Sequence, residues 1–425
     1  MNTSAINRLV IKGSLLVLFF FFQYSVFAQH TDYVDSTQTQ IFADSGKSYF
    51  IPDVKERRWT KTGNKLFTFQ LGFAPIIDYN INIQDNDSKN QVGKQESRFD
   101  LRSGRVNARG KINFKNPWNY LVSVEYRGLD RMEGMSEFGI TDLKLVAPLS
   151  KHSELVFGYI KETFSYEMVG DAANLPHLER LLNPFFKSRN NGIIYRHFML
   201  NDRMTFSGGW FNTWPGSGKG FSESQNSFTA RLTGLTKWEQ NGKQFMHMGL
   251  ALRYVEAQDG KVRLRGKNQS NVSTNYVDTK DFAASHQINL GVEQLWSLEN
   301  FSILMEYIHN WTKTPGSTEQ FSGYYVTSTY IISGEQRPYD KKAAYARRVK
   351  PDGKAGAFEV WLRFGRVNLD SRNINGGINN IMTGGLNWWA SQFWKAGISY
   401  GFSNLEKGEV VGITNTIQFR IQWIL

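Results

Sequence analysis

Residues 411–425 end the chain with VGITNTIQFRIQWIL, a stretch whose two faces differ at a period of two. One face is apolar apart from Asn415 and carries Val411, Ile413, Ile417, Phe419, Ile421, Trp423 and Leu425. The other carries Gly412, Thr414, Thr416, Gln418, Arg420 and Gln422, and only Ile424 interrupts its polar character. This period predicts a β-strand with one apolar and one polar face. A long terminal strand ending in Trp and Leu is typical of outer-membrane barrels.

The beginning of the chain predicts export. Arg8 and Lys12 precede an apolar run over residues 15–22, and Val26-Phe27-Ala28 follows with the small residue that a signal peptidase reads. We expect a signal peptide over residues 1–28, cleaved after Ala28. The alternative is a membrane anchor, but the run is shorter than the roughly 20 residues that a spanning helix needs. Residues 29–64 are polar without alternation and predict an irregular periplasmic leader, so the barrel would occupy residues 65–425.

The composition suits a membrane protein that crosses as strands. The chain has no Cys, which excludes disulfides, and its mean hydropathy is −0.43. No stretch after the signal is long and apolar enough for a spanning helix. The strands of a barrel have a low mean hydropathy because alternate residues face water, so a polar average is compatible with a barrel. Loss of Arg8 and Lys12 with the signal lowers the formal charge from +12 to +10. A basic protein favours anionic partners.

Alternating segments along the mature chain predict an all-β fold, a transmembrane antiparallel β-barrel of about 16 strands. The first candidate strand begins at Leu66, and sixteen more span residues 97–114, 119–127, 138–147, 154–161, 192–200, 203–213, 226–237, 244–256, 260–266, 285–296, 301–311, 323–333, 356–369, 378–389, 392–403 and 411–425. Bacterial single-chain barrels have an even number of strands, so one of these seventeen is wrong or split. The weakest is 260–266. A barrel of this size leaves an aqueous lumen.

The connections predict short periplasmic turns and long outer loops. Asn116-Pro117-Trp118 is a short turn, while residues 162–190 and 334–355 are long and charged. This asymmetry is typical of outer-membrane barrels. Trp388, Trp389, Phe393 and Trp394 flank a turn near Ala390-Ser391 and predict interfacial membrane anchors.

A row of cations in residues 97–114 predicts the lining of a pore. Arg105, Arg109 and Lys111 share one face with Asn107. The apolar Phe99 and Leu101 have the opposite parity to the apolar Val106 and Ala108 of the same segment, which indicates a bulge near Ser103-Gly104. Charges with lumen parity on other strands are Glu125, Arg127, His247, Arg253, Glu359, Arg363 and Arg420. Single arginines could simply be polar groups of a watery lumen, but a row of like charges is costly unless hydrated or balanced by an anion. Such linings lower the barrier for anions.

Residues 162–190 are too long for an ordinary hairpin connection. Their charged residues are Glu162, Glu167, Asp171 and Glu179 beside Arg180, Lys187 and Arg189, and their apolar ones are Phe164, Leu175, Leu178, Leu181, Leu182, Phe185 and Phe186. The apolar side chains argue against disorder. We expect an ordered constriction loop packed inward that narrows the pore; an external cap or a trimer latch is the alternative.

Six segments in order resemble the phosphate-selective porin O and P family. They are LRSGRVNARGKI from Leu101, SELVFGYIKETFSYE from Ser153, LLNPFFKSRNNGI from Leu181, YIISGEQRPY from Tyr330, GAFEVWLRFGRVNLD from Gly356 and GGLNWWAS from Gly384. The resemblance covers nearly the whole mature chain and implies a homotrimeric outer-membrane barrel that passes small anions through an arginine-lined pore. The cations it carries over are Arg102, Arg105, Arg109, Lys111, Lys161, Arg189, Arg363 and Arg366. The long loop departs from a phosphate-selective design, because it holds four acids against three bases.

The predicted function is passive diffusion of small anions, phosphate or similar, through a water-filled channel in the outer membrane of a Gram-negative cell. Expected partners are these anions and outer-membrane lipid, with no nucleic acid, cofactor or metal. The alternatives are a non-selective general porin and a non-conducting structural or adhesive barrel. A membrane enzyme would need a nucleophile and a base held together, and His177, His197, His247 and His309 have no such pattern beside them. A gated transporter is disfavoured because a leader of about 36 residues is too short to fold into a plug.

Overall fold

The computed structural model describes residues 61–126, 138–212, 225–239 and 242–425, and in these ranges it forms a closed antiparallel barrel. Sixteen strands in the described ranges form the wall. Each pairs with the next, and the last pairs with the first to close the wall. The wall strands are β2 (Thr68–Gln84), β3 (Arg98–Ile112), β4 (Trp118–Tyr126), β5 (Phe138–Ser150), β6 (Ser153–Ile160), β7 (Asn190–Met199), β8 (Met204–Asn212), β9 (Asn226–Glu239), β10 (Gln244–Glu256), β15 (His286–Leu298), β16 (Phe301–Lys313), β17 (Thr318–Ile331), β20 (Ala357–Ser371), β21 (Ile374–Trp389), β22 (Trp394–Lys407) and β23 (Val410–Trp423). The predicted fold class and strand number are confirmed.

Short elements complete the described chain. They are β1 (Lys61–Gly63), β11 (Lys261–Val262), β12 (Arg265–Lys267), β13 (Asn275–Asp278), β14 (Phe282–Ala283), β18 (Tyr339–Asp340), β19 (Tyr345–Ala346), and the helices α1 (Asn86–Val92) and α2 (Tyr166–Val169). In the ranges that the structure covers, no helix is long and apolar enough to cross a membrane. The predicted signal peptide and the leader up to residue 60 lie outside the described residues, and β1 pairs with β2 at the end of that leader.

The terminal strand has the two faces that its sequence predicts. Ile413 and Ile421 are 37% and 57% exposed on the outside, whereas Thr414, Gln418 and Arg420 are buried on the inside. Trp423 stacks on Trp394 of β22 and lies 6.4 Å from the ring of Phe73 on β2. The apolar outer face is the one that lipid would cover, because every second side chain of a barrel strand points outward.

Three details of the strands bear on the sequence-based expectations, of which the first agrees and the other two differ. Residues 260–266 contribute no wall strand and form β11 and part of β12 in a long connection, as their weakness suggested. The predicted bulge is present slightly earlier than expected, since Ile76 pairs with Ser103 but Asp78 pairs with Asp100. Trp389 is not a membrane anchor: it is 1% exposed inside the barrel, and its indole N–H donates to Glu359.

Connections between antiparallel strands alternate between the two ends of the barrel. One end, here called the turn end, has short connections at 113–117, 151–152, 200–203, 299–300 and 390–393. The other, the loop end, has long connections at 85–97, 161–189 and 257–285 and short ones at 314–317, 372–373 and 408–409. The expectation that residues 334–355 belong with the long outer loops is wrong. They lie between β17 and β20 at the turn end, because β17 runs toward that end. We call residues 332–356 the turn-end segment.

The constriction loop, residues 161–189, packs inside the barrel as predicted. Its Leu182 and Phe185 are 0% and 1% exposed and join a core with wall residues that include Ile308 and Tyr325. Two wall glycines make room for it. A Cβ at Gly323 would lie 2.8 Å from both Leu182 and Phe185, and one at Gly365 would lie 2.3 Å from Leu181. The loop therefore occupies part of the lumen and packs closely against β17 and β20.

Candidate functional site

Three of the four acids of the constriction loop, Glu162, Glu167 and Glu179, are ion-pair partners of arginines on the wall. Glu162 accepts from Arg253 at 2.5 Å, and Glu167 accepts from Arg363 at 2.5 Å. Side-chain exposure is 0% for both acids and 8% and 6% for the two arginines. A buried charge is tolerated only when it is paired and hydrogen-bonded. These acids therefore hold the loop to the wall and do not present negative charge to the lumen.

Glu179 joins the loop to the two strands on either side of β2. Its carboxylate accepts from Arg102 of β3 at 2.7 Å and from Arg420 of β23 at 2.6 Å. Arg420 also donates twice to Asp78 of β2, at 2.7 and 2.6 Å, and donates to the Leu178 carbonyl. Such charge-assisted bidentate pairs are strong and geometrically specific.

The loop acids have depressed pKa values. Burial alone would raise the pKa of Glu167, but Arg363 and the hydrogen-bonded His177 bring it down to about 2. Arg102 and Arg420 overcome burial in the same way and hold the pKa of Glu179 at about 2. Burial, reinforced by Arg363, lowers the pKa of His177 to about 4, so its imidazole is neutral at pH 7.

The turn-end segment enters the lumen from the opposite side and meets the constriction loop. Arg337 donates to both carboxylate oxygens of Glu359 at 2.5 and 2.6 Å, and also donates to the Asn174 carbonyl of the loop. The Ala346 N–H donates to the Tyr166 hydroxyl at 2.9 Å. Two segments from opposite ends thus narrow the lumen at the same level.

Solvent reaches one side of the lumen. The side chains of Arg102 and Arg105 on β3 are 28% and 27% exposed. By contrast, four lumen-facing arginines on β9, β10, β20 and β23 are 2–8% exposed: Arg231, Arg253, Arg363 and Arg420. On β7, Arg196 is 22% exposed. The space that remains therefore lies beside β3, on the side that the constriction loop leaves open.

Cations surround the exposed acid Asp171 on this open side. Lys161 binds it at 2.9 Å, and the Asp171 side chain is 53% exposed. Its place deep in the lumen raises its pKa, but Lys161, Arg347 and Arg105 together hold the pKa of that carboxyl far below its usual range. Other cations interact electrostatically with it: Arg109, Lys144 and Arg348. We call Arg105, Arg109, Lys144, Lys161, Arg347 and Arg348 the cationic face.

Burial lowers the pKa of the Lys161 ammonium to about 8, with Asp171 opposing this and Arg189 and Arg180 adding to it. Lys161 also donates to the carbonyl of Gly170 at 3.0 Å. Arg180 donates to the carbonyls of Glu167 and Gly170. The loop backbone thus helps to hold Lys161 and Arg180 in place.

The remaining predicted residues occupy different surroundings. Arg189 donates to both oxygens of Asp142 at 3.1 and 3.0 Å, and Lys187 interacts electrostatically with Glu162 and Arg253. Lys111 is exposed toward the turn end of β3. Arg127 lies outside the described residues.

Arg366 was predicted wrongly as a pore-lining residue. It shares the outward parity of Leu362 and Phe364, which are 48% and 47% exposed, and it donates to Asn380 at 2.9 Å. The family resemblance supplied this residue, whereas alternation from the inward Arg363 would have placed it outside.

Sequence reasoning missed three members of the cationic face. Lys144 lies on the predicted strand 138–147, at the position that pairs with Leu121 of β4, and parity could have assigned it. Arg347 and Arg348 lie on the turn-end segment, which was expected at the other end of the barrel. In the described ranges no group of His, Asp and Glu could hold a metal ion.

Comparison with known proteins matches residues 69–420 to the family model described as phosphate-selective porin O and P. Porin O of Pseudomonas aeruginosa is 26% identical over 130 residues, which is 28% of this chain and 30% of that protein. The chain therefore aligns with less than a third of this relative's length.

Solved structures share the fold at low identity. The anion-selective porin from Comamonas acidovorans superimposes with a TM-score of 0.55 at 11% identity, covering 84% of this chain and 100% of that one. OmpT of Vibrio cholerae, in its trimer form, gives 0.54 at 10% identity, covering 84% and 99%.

Proposed function

Because the chain belongs to the phosphate-selective porin O and P family of the Gram-negative outer membrane, we propose that it forms a water-filled channel for passive diffusion of small anions. The family and the porin fold favour a channel over an enzyme. The anions would pass between the constriction loop and β3. We further propose that residues 1–28 are a cleaved signal peptide.

The observation that carries this proposal is the segregation of charge in the lumen. The loop acids Glu162, Glu167 and Glu179 form ion pairs with the buried arginines Arg253, Arg363 and Arg420. The excess of acids in the loop therefore does not make the path acidic. The accessible side carries the six cations of the cationic face against three acids that pair with them: Asp171 with Lys161, Glu125 with Arg105, and Asp340 with Arg347. A cationic lining lowers the barrier for anions and raises it for cations.

We also propose that phosphate is the preferred anion and that the protein assembles as a homotrimer. The family description supports the first, and Arg105 and Arg109 supply the guanidinium groups that bind phosphate well. The second is supported by the low wall at β6 and β7, where strands have 8 and 10 residues against 13–17 in β9, β10, β15–β17 and β2. A low wall is the side on which a neighbouring barrel would protect the strands from lipid.

Planar-bilayer recording tests the channel and its selectivity together. In a gradient of potassium chloride at about 0.1 M, where the screening length is about 10 Å, the reversal potential should indicate anion preference. Arg105→Gln with Arg109→Gln should reduce the chloride-to-potassium permeability ratio by about five- to tenfold, if each charge shifts the energy of each ion by roughly 0.3 kcal/mol at about 7 Å in water screened by this salt.

Arg366→Gln is the matched control, since it makes the same change on the outer face of the wall. Cation preference in the unaltered protein would contradict the anion channel, and the absence of current steps would favour a structural or adhesive barrel. Equal permeability ratios in the control and the double variant would show that the charges that set the selectivity lie elsewhere. A competition between phosphate and chloride in the same recording tests phosphate preference.

A further inference from the structure

The ammonium group of Lys161, the first residue of the constriction loop, is already surrounded by acceptors of that loop. It donates to the Asp171 carboxylate at 2.9 Å, to the Gly170 carbonyl at 3.0 Å and to the Val169 carbonyl at 3.4 Å. A lysine ammonium has three donors and no acceptor. All three donors are therefore directed at the loop, and an anion can bind Lys161 only by replacing one of these acceptors.

Of the three acceptors, the Asp171 carboxylate is the one that can leave. The two carbonyls belong to the backbone that joins α2 to a 3₁₀ turn at Ala172–Asn174, and the Asn174 N–H fixes this backbone by donating to the Asp171 carbonyl at 2.9 Å. By contrast, the Asp171 side chain is 53% exposed. In the described chain, Lys161 supplies the one hydrogen bond that its carboxylate accepts. Rotation of this side chain would free the ammonium without moving the loop.

The Asp171 carboxylate also lacks the anchoring role of the other loop acids. Those three acids are 0–11% exposed and pair with wall arginines. Asp171 occupies the N-cap position of the 3₁₀ turn, where an Asp side chain commonly accepts from the backbone, but it makes no such bond. It lies among cations instead, because Arg347 and Arg105 also interact with it electrostatically. An exposed carboxylate held by an ammonium in this way has the surroundings of a bound anion.

We propose that Asp171 is a tethered competitor of the passing anion: its carboxylate occupies Lys161 between passages, and a phosphate must displace it to bind there. This inference rests on the proposed function, since it places anions on the cationic face. A channel must bind its ion strongly enough to admit it and weakly enough to release it. The tethered carboxylate favours release, because it returns to Lys161 and replaces the departing anion. Asp171 therefore limits how long an anion stays at this face.

Isothermal titration of inorganic phosphate into the full-length mature protein, in a non-ionic detergent at low ionic strength, tests the proposal. Asp171→Asn should bind phosphate about tenfold more tightly than the unaltered protein. About fivefold is the usual upper limit for an exposed ion pair, and about twofold comes from the lost repulsion between carboxylate and phosphate at about 7 Å in water. Asp171→Glu keeps the charge and should restore the affinity to within about threefold of the unaltered protein.

Glu125→Gln is the matched control. It removes the same charge from beside Arg105 on the cationic face, but the Glu125 side chain is 7% exposed on β4 and is not placed to exchange with a passing anion. The control should tighten phosphate binding by less than about threefold. The titration is made at about pH 6, because Asp171 raises the pKa of Lys161, which burial lowers to about 8, and the ammonium must stay charged without it. Circular dichroism checks folding, and Asp171→Ser replaces a variant that fails to fold.

Three results would overturn the proposal: equal phosphate affinity in Asp171→Asn and the unaltered protein, equal gains in Asp171→Asn and Glu125→Gln, or no phosphate binding to either Asp171→Asn or the unaltered protein. The second result would assign the gain to net charge alone. The titration does not depend on current. Cation preference in bilayers together with tighter phosphate binding by Asp171→Asn would therefore contradict the proposed anion channel and leave the role of Asp171 standing.

Discussion

Replacing Glu167 by Gln should release the constriction loop from the wall. Glu167 is 0% exposed and accepts from Arg363, His177 and the backbone N–H groups of Leu181 and Leu182. The variant removes the negative charge and leaves the Arg363 guanidinium, 6% exposed, without its counter-ion. Leaving one partner of a buried pair uncompensated costs about 3 to 5 kcal/mol. At about 1.4 kcal/mol per tenfold, the undocked fraction of the loop should rise roughly a hundred- to thousandfold.

Single-channel recording and limited trypsin digestion measure this release. The variant should show openings of higher conductance than the unaltered protein, because the loop no longer fills part of the lumen. Trypsin should also cut folded barrels after Arg180 or Lys187. The strand ladder does not depend on Glu167, so the barrel itself should persist.

A control and a double variant make the reasoning refutable. Glu154→Gln breaks a pair with Arg196 in which both side chains are 21–22% exposed, so its effect should be at most about 1 kcal/mol. Glu167→Gln with Arg363→Met removes both charges and should open the channel less often than Glu167→Gln alone. If the double variant opens more often than the single one, or if Glu167→Gln leaves conductance and proteolysis unchanged, the loop is not held by this pair.

Three further predictions concern charge and the second inward segment. Raising the pH from about 7 to 9 should lower anion preference, because Lys161, whose pKa is about 8, loses its positive charge; Lys161→Met should make reversal potentials insensitive to this change. Lowering the pH should leave the loop docked until the pH falls below the ordinary carboxyl pKa of 4.5. Anchoring is then lost toward pH 2, where Glu167 and Glu179 accept protons, and high-conductance openings should appear only in that acid range. Arg337→Met leaves Glu359 buried without its partner and should detach the turn-end segment at a similar cost of about 3 to 5 kcal/mol, seen as cleavage after Arg347; resistance to trypsin would contradict this.

Features that depend on local periodicity could be predicted from the sequence. Alternation placed Arg105, Arg363 and Arg420 inside the barrel, and it placed the apolar face of the last strand outside. The apolar residues of the constriction loop predicted its inward packing. Where a family pattern was carried over without checking parity, as for Arg366, the prediction was wrong.

The missing features depend on contacts between distant parts of the chain. Glu179 and Arg420 are 241 residues apart, so no local pattern showed that the loop acids would neutralise wall arginines. The length of the turn-end segment showed that it was an unusual connection, but not at which end of the barrel it lies. That end follows only from a correct count of all the preceding strands. The hydrogen bond from Thr383 of β21 to Gln269 likewise forms only when the connection between β10 and β15 folds back onto the wall.

The meeting of Asp78, Arg420 and Glu179 also couples closure of the wall to docking of the loop. Asp78 and Arg420 are directly opposed on β2 and β23, the first and last strands of the wall, and the loop carboxylate bonds to the same guanidinium from inside. Closure of the wall brings Asp78 against Arg420, and docking of the loop brings Glu179 to the same guanidinium, so each event stabilises the other. The arginine that completes the seam can then bind both carboxylates only in a barrel that has closed with its interior correctly filled.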